Sequence, residues 1–159
     1  MEQRDLELER RVWQRVNGAN GGKTAQPCTQ EIPETSLREL EQRSREAANV
    51  FGQLAQTVSG MTRQMLQELY HQEYHTSLTL RGMRVLSGEE PEKPACCPWT
   101  KTGVCRALAL SYRRSSQARQ DYAARASSGE FAPVFAVLAR QEEEKMGHLL
   151  SLIGLSKGG

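Results

Sequence analysis

Along most of this chain apolar residues return at alternating steps of three and four, the spacing that lines them up on one stripe of an α-helix. Leu37, Leu40, Ser44, Ala47, Phe51, Leu54 and Val58 form the first such run, and Met65, Leu69, Glu73, Thr76, Leu80 and Met83 the second. Val104, Leu108, Ser111, Ser115, Ala118 and Tyr122 make a third, and Val134, Leu138, Glu142, Lys145, Leu149 and Leu152 a fourth. The first helix opens on Ser36-x-x-Glu39 just after Pro33, a capping box in which hydroxyl and carboxylate satisfy each other's backbone N–H groups. Ser59-Gly60 and Ser128-Gly129 separate the members of each pair, so both pairs should fold back as antiparallel hairpins. Pro133 falls in the first turn of the last helix, where its missing N–H costs little. The expected fold is all-α, a four-helix bundle built from two αα-hairpins.

The link between the hairpins is no tight turn. Residues 88–103 contain Pro91, Pro94, Pro98, the Cys96-Cys97 pair and Trp99. Sixteen residues reach at most ~53 Å when extended, more than the roughly 40 Å length of the second helix, so this segment can cross the whole bundle. Ahead of the bundle, residues 1–16 read as a short helix with Leu6, Glu9, Trp13 and Val16 on one partly apolar side. Residues 17–35, rich in Gly, Asn and polar residues, read as a flexible linker. The bundle itself is expected over 36–155, with 156–159 as a tail.

Composition narrows the class. The 159 residues carry a net charge of +2 with both signs interspersed, a balance that gives no reason to expect nucleic acid or an anionic membrane as partner. No run of 18 apolar residues occurs, and the N-terminus is charged, so the expectation is a cytoplasmic protein without a membrane span. Cys28, Cys96, Cys97 and Cys105 lack C-x-x-C spacing and in a reducing compartment are expected as free thiols.

The chemistry of interest lies where the fourth stripe turns polar. Glu142 and Lys145 fall inside the arc defined by Val134, Leu138, Leu149 and Leu152, and two charges on a core-facing stripe demand partners. Glu73 and Thr76 take the same places on the second stripe. By contrast Glu68-x-x-His71 projects well away from the stripe, and His75 and His148 also lie off it, so these three histidines read as surface residues. The two hairpins are in fact written twice. From the Ser-Gly turn onward, Leu69, Glu73, Thr76, Leu80 and Met83 correspond to Leu138, Glu142, Lys145, Leu149 and Leu152 at a constant offset of 69. Ser44-x-x-Ala47-x-x-x-Phe51 corresponds to Ser115-x-x-Ala118-x-x-x-Tyr122 at an offset of 71.

This duplicated pattern over 36–155 resembles the ferritin-like superfamily and, within it, the rubrerythrin-like di-iron carboxylate proteins. The resemblance implies a bundle with one long crossover, a Glu on the first and third helices, and Glu-x-x-His on the second and fourth, holding two irons that act on peroxide or store iron. A homodimer is expected on the same ground alone. Here the pattern departs at the ligands. Ser44 and Ser115 stand in the carboxylate positions, Thr76 and Lys145 in the histidine positions, and only Glu73 and Glu142 remain to hold a metal.

The reading that follows is a degenerate di-iron site, in which the Lys145 ammonium sits between Glu73 and Glu142 in place of iron. The hydroxyls of Ser44, Ser115, Thr76 and Tyr122 would fill the remaining hydrogen bonds. Such a protein would be structural or interaction-based and not catalytic. Two alternatives stay open: a metal-dependent oxidoreductase or iron-handling protein with altered ligands, and a thiol redox or metal-binding role for Cys96 and Cys97 with Cys105.

Overall fold

The computed structural model describes residues 35–93 and 102–157. Within them the chain is an all-α four-helix bundle: α1 (Leu37–Thr57), α2 (Gly60–Leu86), α3 (Val104–Arg125) and α4 (Ala132–Lys157), with no strand among the described residues. The helix expected over 1–16, nearly all of the linker, and Cys28, Cys96 and Cys97 lie outside the described residues.

Local chemistry sets the helix ends. At the start of α1 the Ser36 hydroxyl accepts from the Glu39 N–H at 3.2 Å, and the Glu39 carboxylate accepts from the Ser36 N–H at 3.0 Å. Two residues later than Thr57 the chain has already turned. Gly60 takes φ +66°, a left-handed conformation that a side chain would disfavour. Arg63 then reaches back from α2 and donates to the carbonyls of Ala55 and Val58 at 3.0 and 2.8 Å, satisfying acceptors that the end of a helix leaves open. Gly129, at φ +104°, serves the second turn. α4 runs through Ser156 to Lys157, two residues beyond the expected end of the bundle.

α1 packs along α2 and α3 along α4, and the two hairpins meet through α1 against α3 and α2 against α4. The contacts fix directions. Arg43, early in α1, pairs with Asp121, late in α3, at 2.7 Å, while Leu80 and Met83 near the end of α2 pack with Phe135 and Leu138 near the start of α4. Both inter-hairpin pairs are therefore antiparallel, and α2 and α3 run the same way. A chain leaving α2 must return along the length of the bundle to begin α3, which is the crossover expected of residues 88–103.

Apolar side chains form two separate cores. Phe51, Leu54, Ala55, Leu66, Leu69, Ala107, Leu108, Leu149 and Leu152 fill one end. Leu40, Leu80, Met83, Ala118, Tyr122, Phe135 and Leu138 fill the other. Each fully buried leucine removes enough apolar surface to stabilise by about 1.5–3 kcal/mol, so the ends carry the fold. The level between them is polar.

An ion network that the periodicity did not flag ties the open end of the first hairpin. Glu41 is buried and accepts from Arg84 at 2.5 Å and from Arg45 at 3.2 Å, with Arg81 at 3.7 Å. Arg84 also bonds Glu89 at 2.7 Å, which pins the first residues of the crossover to α2.

Candidate functional site

The polar level is made by the residues that interrupt the four stripes. Ser44 on α1, Glu73 and Thr76 on α2, Ser111 and Ser115 on α3, and Glu142 and Lys145 on α4 are all buried. They meet there because each occupies the middle of its own core-facing stripe and the helices are of similar length. Glu142 and Lys145 stand three residues apart, about one helical turn, so both side chains point inward from the same face.

Lys145 is 2% exposed and Glu73 and Glu142 are each 3% exposed. The Lys145 ammonium donates to Glu142 Oε1 at 2.7 Å and across the bundle to Glu73 Oε1. A stretched lysine thus bridges two carboxylates of different hairpins. Attraction between unit charges about 4 Å apart is on the order of 4 kcal/mol at an effective dielectric near 20. Removing each ion from water costs several kcal/mol, about as much. The set therefore adds little net stability compared with a well-packed apolar filling, and its value lies in demanding that the right residues meet.

The hydroxyls do not complete it as expected. Thr76 Oγ1 donates to the Gln72 carbonyl of its own helix at 3.0 Å, the local bond open to a threonine in a helix. Ser44 Oγ lies 3.5 Å from Tyr122 Oη, a long contact, and neither hydroxyl bonds the ammonium. Burial pushes the Tyr122 phenol up to about 12, with the Ser44 hydrogen bond pulling the other way. Ser115 forms no hydrogen bond to Lys145, and Glu142 Oε2 has no hydrogen-bond partner among the described residues. Among the described residues only the two carboxylates bond the lysine.

Burial pushes the Glu142 carboxyl up to about 7, opposed by the nearby Ser115 hydroxyl and the Arg43 guanidinium. The Ser115 hydroxyl is close enough to favour the charged form. Burial lowers the Lys145 ammonium, while the two carboxylates it touches favour its charge. The consequence for stability has a definite sign. Glu142 titrates higher in the folded chain than in the unfolded one, so its contribution is fully present below the unfolded carboxyl pKa and is lost as pH rises through about 7. Urea unfolding at pH 5 and pH 7.5 should therefore show the lower pH to be the more stable by a kcal/mol or more. In Glu142→Gln that difference should shrink.

Beside Glu142 lies a small hollow of about 10 Å³, lined on α1 by Arg43, Ser44, Ala47 and Phe51 and on α3 by Ser111, Arg114, Ser115 and Ala118, with Glu73 and Glu142 behind. Pockets that hold substrates measure about 300–1,000 Å³, so this one admits no organic substrate. Nor do the residues present fit two irons. Among the described residues no three His, Cys, Asp or Glu side chains group closely enough to hold a metal ion, and the two carboxylates that remain are bonded to an ammonium.

The other candidates fall elsewhere. His71, His75 and His148 are exposed, with His71 edge-on to Tyr70 and His75 edge-on to Tyr74. Cys105 is an exposed free thiol whose sulfur lies 3.3 Å from Ser156 Oγ. No helix among the described residues is long and apolar enough to cross a membrane. No family model matches this chain, and neither curated proteins nor solved structures give a match.

Proposed function

We propose that this chain is a ferritin-like bundle protein of the rubrerythrin-like kind, in which an internal ammonium stands where metal-holding members keep iron, and that its role is structural or interaction-based and not catalytic. The observation that carries this reading is the bridge from Lys145 to both Glu73 and Glu142 at mid-bundle. The duplicated spacing of Ser44 with Ser115, Glu73 with Glu142 and Thr76 with Lys145 supports the ancestry, as does a crossover that sends α2 and α3 in the same direction. A lysine held by both carboxylates repels a cation and occupies one oxygen of each. A homodimer and a cytoplasmic location belong to the same proposal.

Elemental analysis of protein purified from iron-supplied cells tests it. The expected result is far less than one iron per chain and no peroxide turnover. About two irons per chain with turnover, the stoichiometry of a di-iron bundle, would overturn it.

A further inference from the structure

We propose that the hollow between α1 and α3 is a binding site for one internal water molecule, held by Glu142 Oε2 and the Ser115 hydroxyl and exchanging with solvent past Arg43 and Arg114. Two independent features point to an occupant. Glu142 is 3% exposed, and its Oε2 is a buried acceptor with no hydrogen-bond partner among the described residues. Leaving such an atom bare costs about 1–3 kcal/mol, more when it is charged. The space beside it is about 10 Å³, at the lower edge of the ~10–15 Å³ that one water needs.

The chemistry of the lining selects water over other small ligands. An internal water needs two to four polar partners, and Glu142, Ser115 and Ser44 all line the space. Ser115 stands beside Glu142 and favours its charged form, and Ser44 keeps a long contact of 3.5 Å with Tyr122, so both hydroxyls are at hand for an occupant. Ser111 is not available, since its hydroxyl is spent on the Ala107 carbonyl at 2.8 Å. A cation is disfavoured because Arg43 and Arg114 flank the mouth and Lys145 lies behind. An anion would face both carboxylates.

The route is a consequence of small residues. Ser44 and Ala47 on α1 face Ser111, Ser115 and Ala118 on α3, and side chains of this size leave a slot where larger ones would interlock. Arg43 and Arg114 also line the open groove on the outer side of α1 and α3, so hollow and groove share a boundary. Arg43 is held at that boundary by Asp121. The site holds for this bundle whatever its ancestry.

A crystal structure of the full chain at atomic resolution, together with oxygen-17 relaxation dispersion in solution, tests the site. The expected result is one water within hydrogen-bonding distance of both Glu142 Oε2 and Ser115 Oγ, and the loss of one long-lived water in Ser115→Val, whose methyl groups fill the space without bonding. Three results would overturn it: a side-chain donor bonded directly to Oε2, anomalous scattering from rubidium at the position after a soak, or the same number of long-lived waters in wild type and variant. If Ser115→Val does not fold, the wild-type crystal structure decides alone, by the presence or absence of that water.

Discussion

Replacing Lys145 with methionine should destabilise the bundle by about 3–5 kcal/mol near neutral pH, the usual cost of stripping one partner from a buried ion set. Methionine approximates the length of the lysine stem, so little packing is lost and the charge alone is tested. What remains is a pair of carboxylates, each 3% exposed, with no cation between them. They cannot both stay ionised cheaply at such separation, and one will take a proton. The deficit should therefore be largest at pH 8–9 and smaller at pH 5, a trend that desolvation of the methionine could not produce. Urea unfolding at three pH values reads it directly, and the melting temperature should fall by roughly 10–20 °C at pH 8. Unchanged or improved stability at neutral pH would show that the ammonium does not balance the two acids. The companion variant, Lys145→Met with Glu73→Leu and Glu142→Leu, should return to within about 1–2 kcal/mol of wild type or exceed it, since apolar packing rivals a buried ion set. Together the two results separate the need for balance inside the set from any net worth of having it.

The helices and their inward faces were legible because both depend on local chemistry. Ser36 and Glu39 cap α1 through bonds spanning three residues, and Gly60 and Gly129 supply conformations that few other residues allow. Lys145 sat on the apolar stripe in the sequence, with Glu73 at the matching place on α2 as its expected partner. But a lysine stem is long enough to carry its charge out to solvent, and only the structure shows it buried. Bond choices within the polar level were not legible. Thr76 was expected to turn to the lysine, but a carbonyl one turn back in its own helix lies nearer. Tyr122 meets Ser44 and not the ion set, and the angle and offset of two helices are not written in either one. The same limit hid Glu41 and Arg84. Each sits one position after a stripe residue, Leu40 or Met83, and they meet only through the register of the first hairpin. The stripes also read too narrow. Each helix packs against two neighbours, which widens its buried arc to include Leu66, Ala55, Ala107 and Phe135.

Phe51→Ala should cost about 3–5 kcal/mol, the range for truncating a buried aromatic, and its effect should reach beyond packing. Phe51 is 1% exposed and belongs to the apolar core at one end of the bundle, yet its ring also closes one wall of the hollow beside Glu142. It is the partition between oil and charge. Cutting it to a methyl group joins a new cavity to the polar level, and water drawn in by Glu73 and Glu142 would wet both. Burial is what holds Glu142 at about 7, so in this variant its carboxyl should fall back toward the ordinary range, and the loss of stability between pH 5 and pH 7.5 should flatten. Leu152→Ala gives the comparison. Leu152 is fully buried in the same core but does not line the hollow, so its truncation should cost about 2–5 kcal/mol and leave the pH dependence intact. Equal pH profiles in the two variants would mean that the aromatic ring does not shield the ion set.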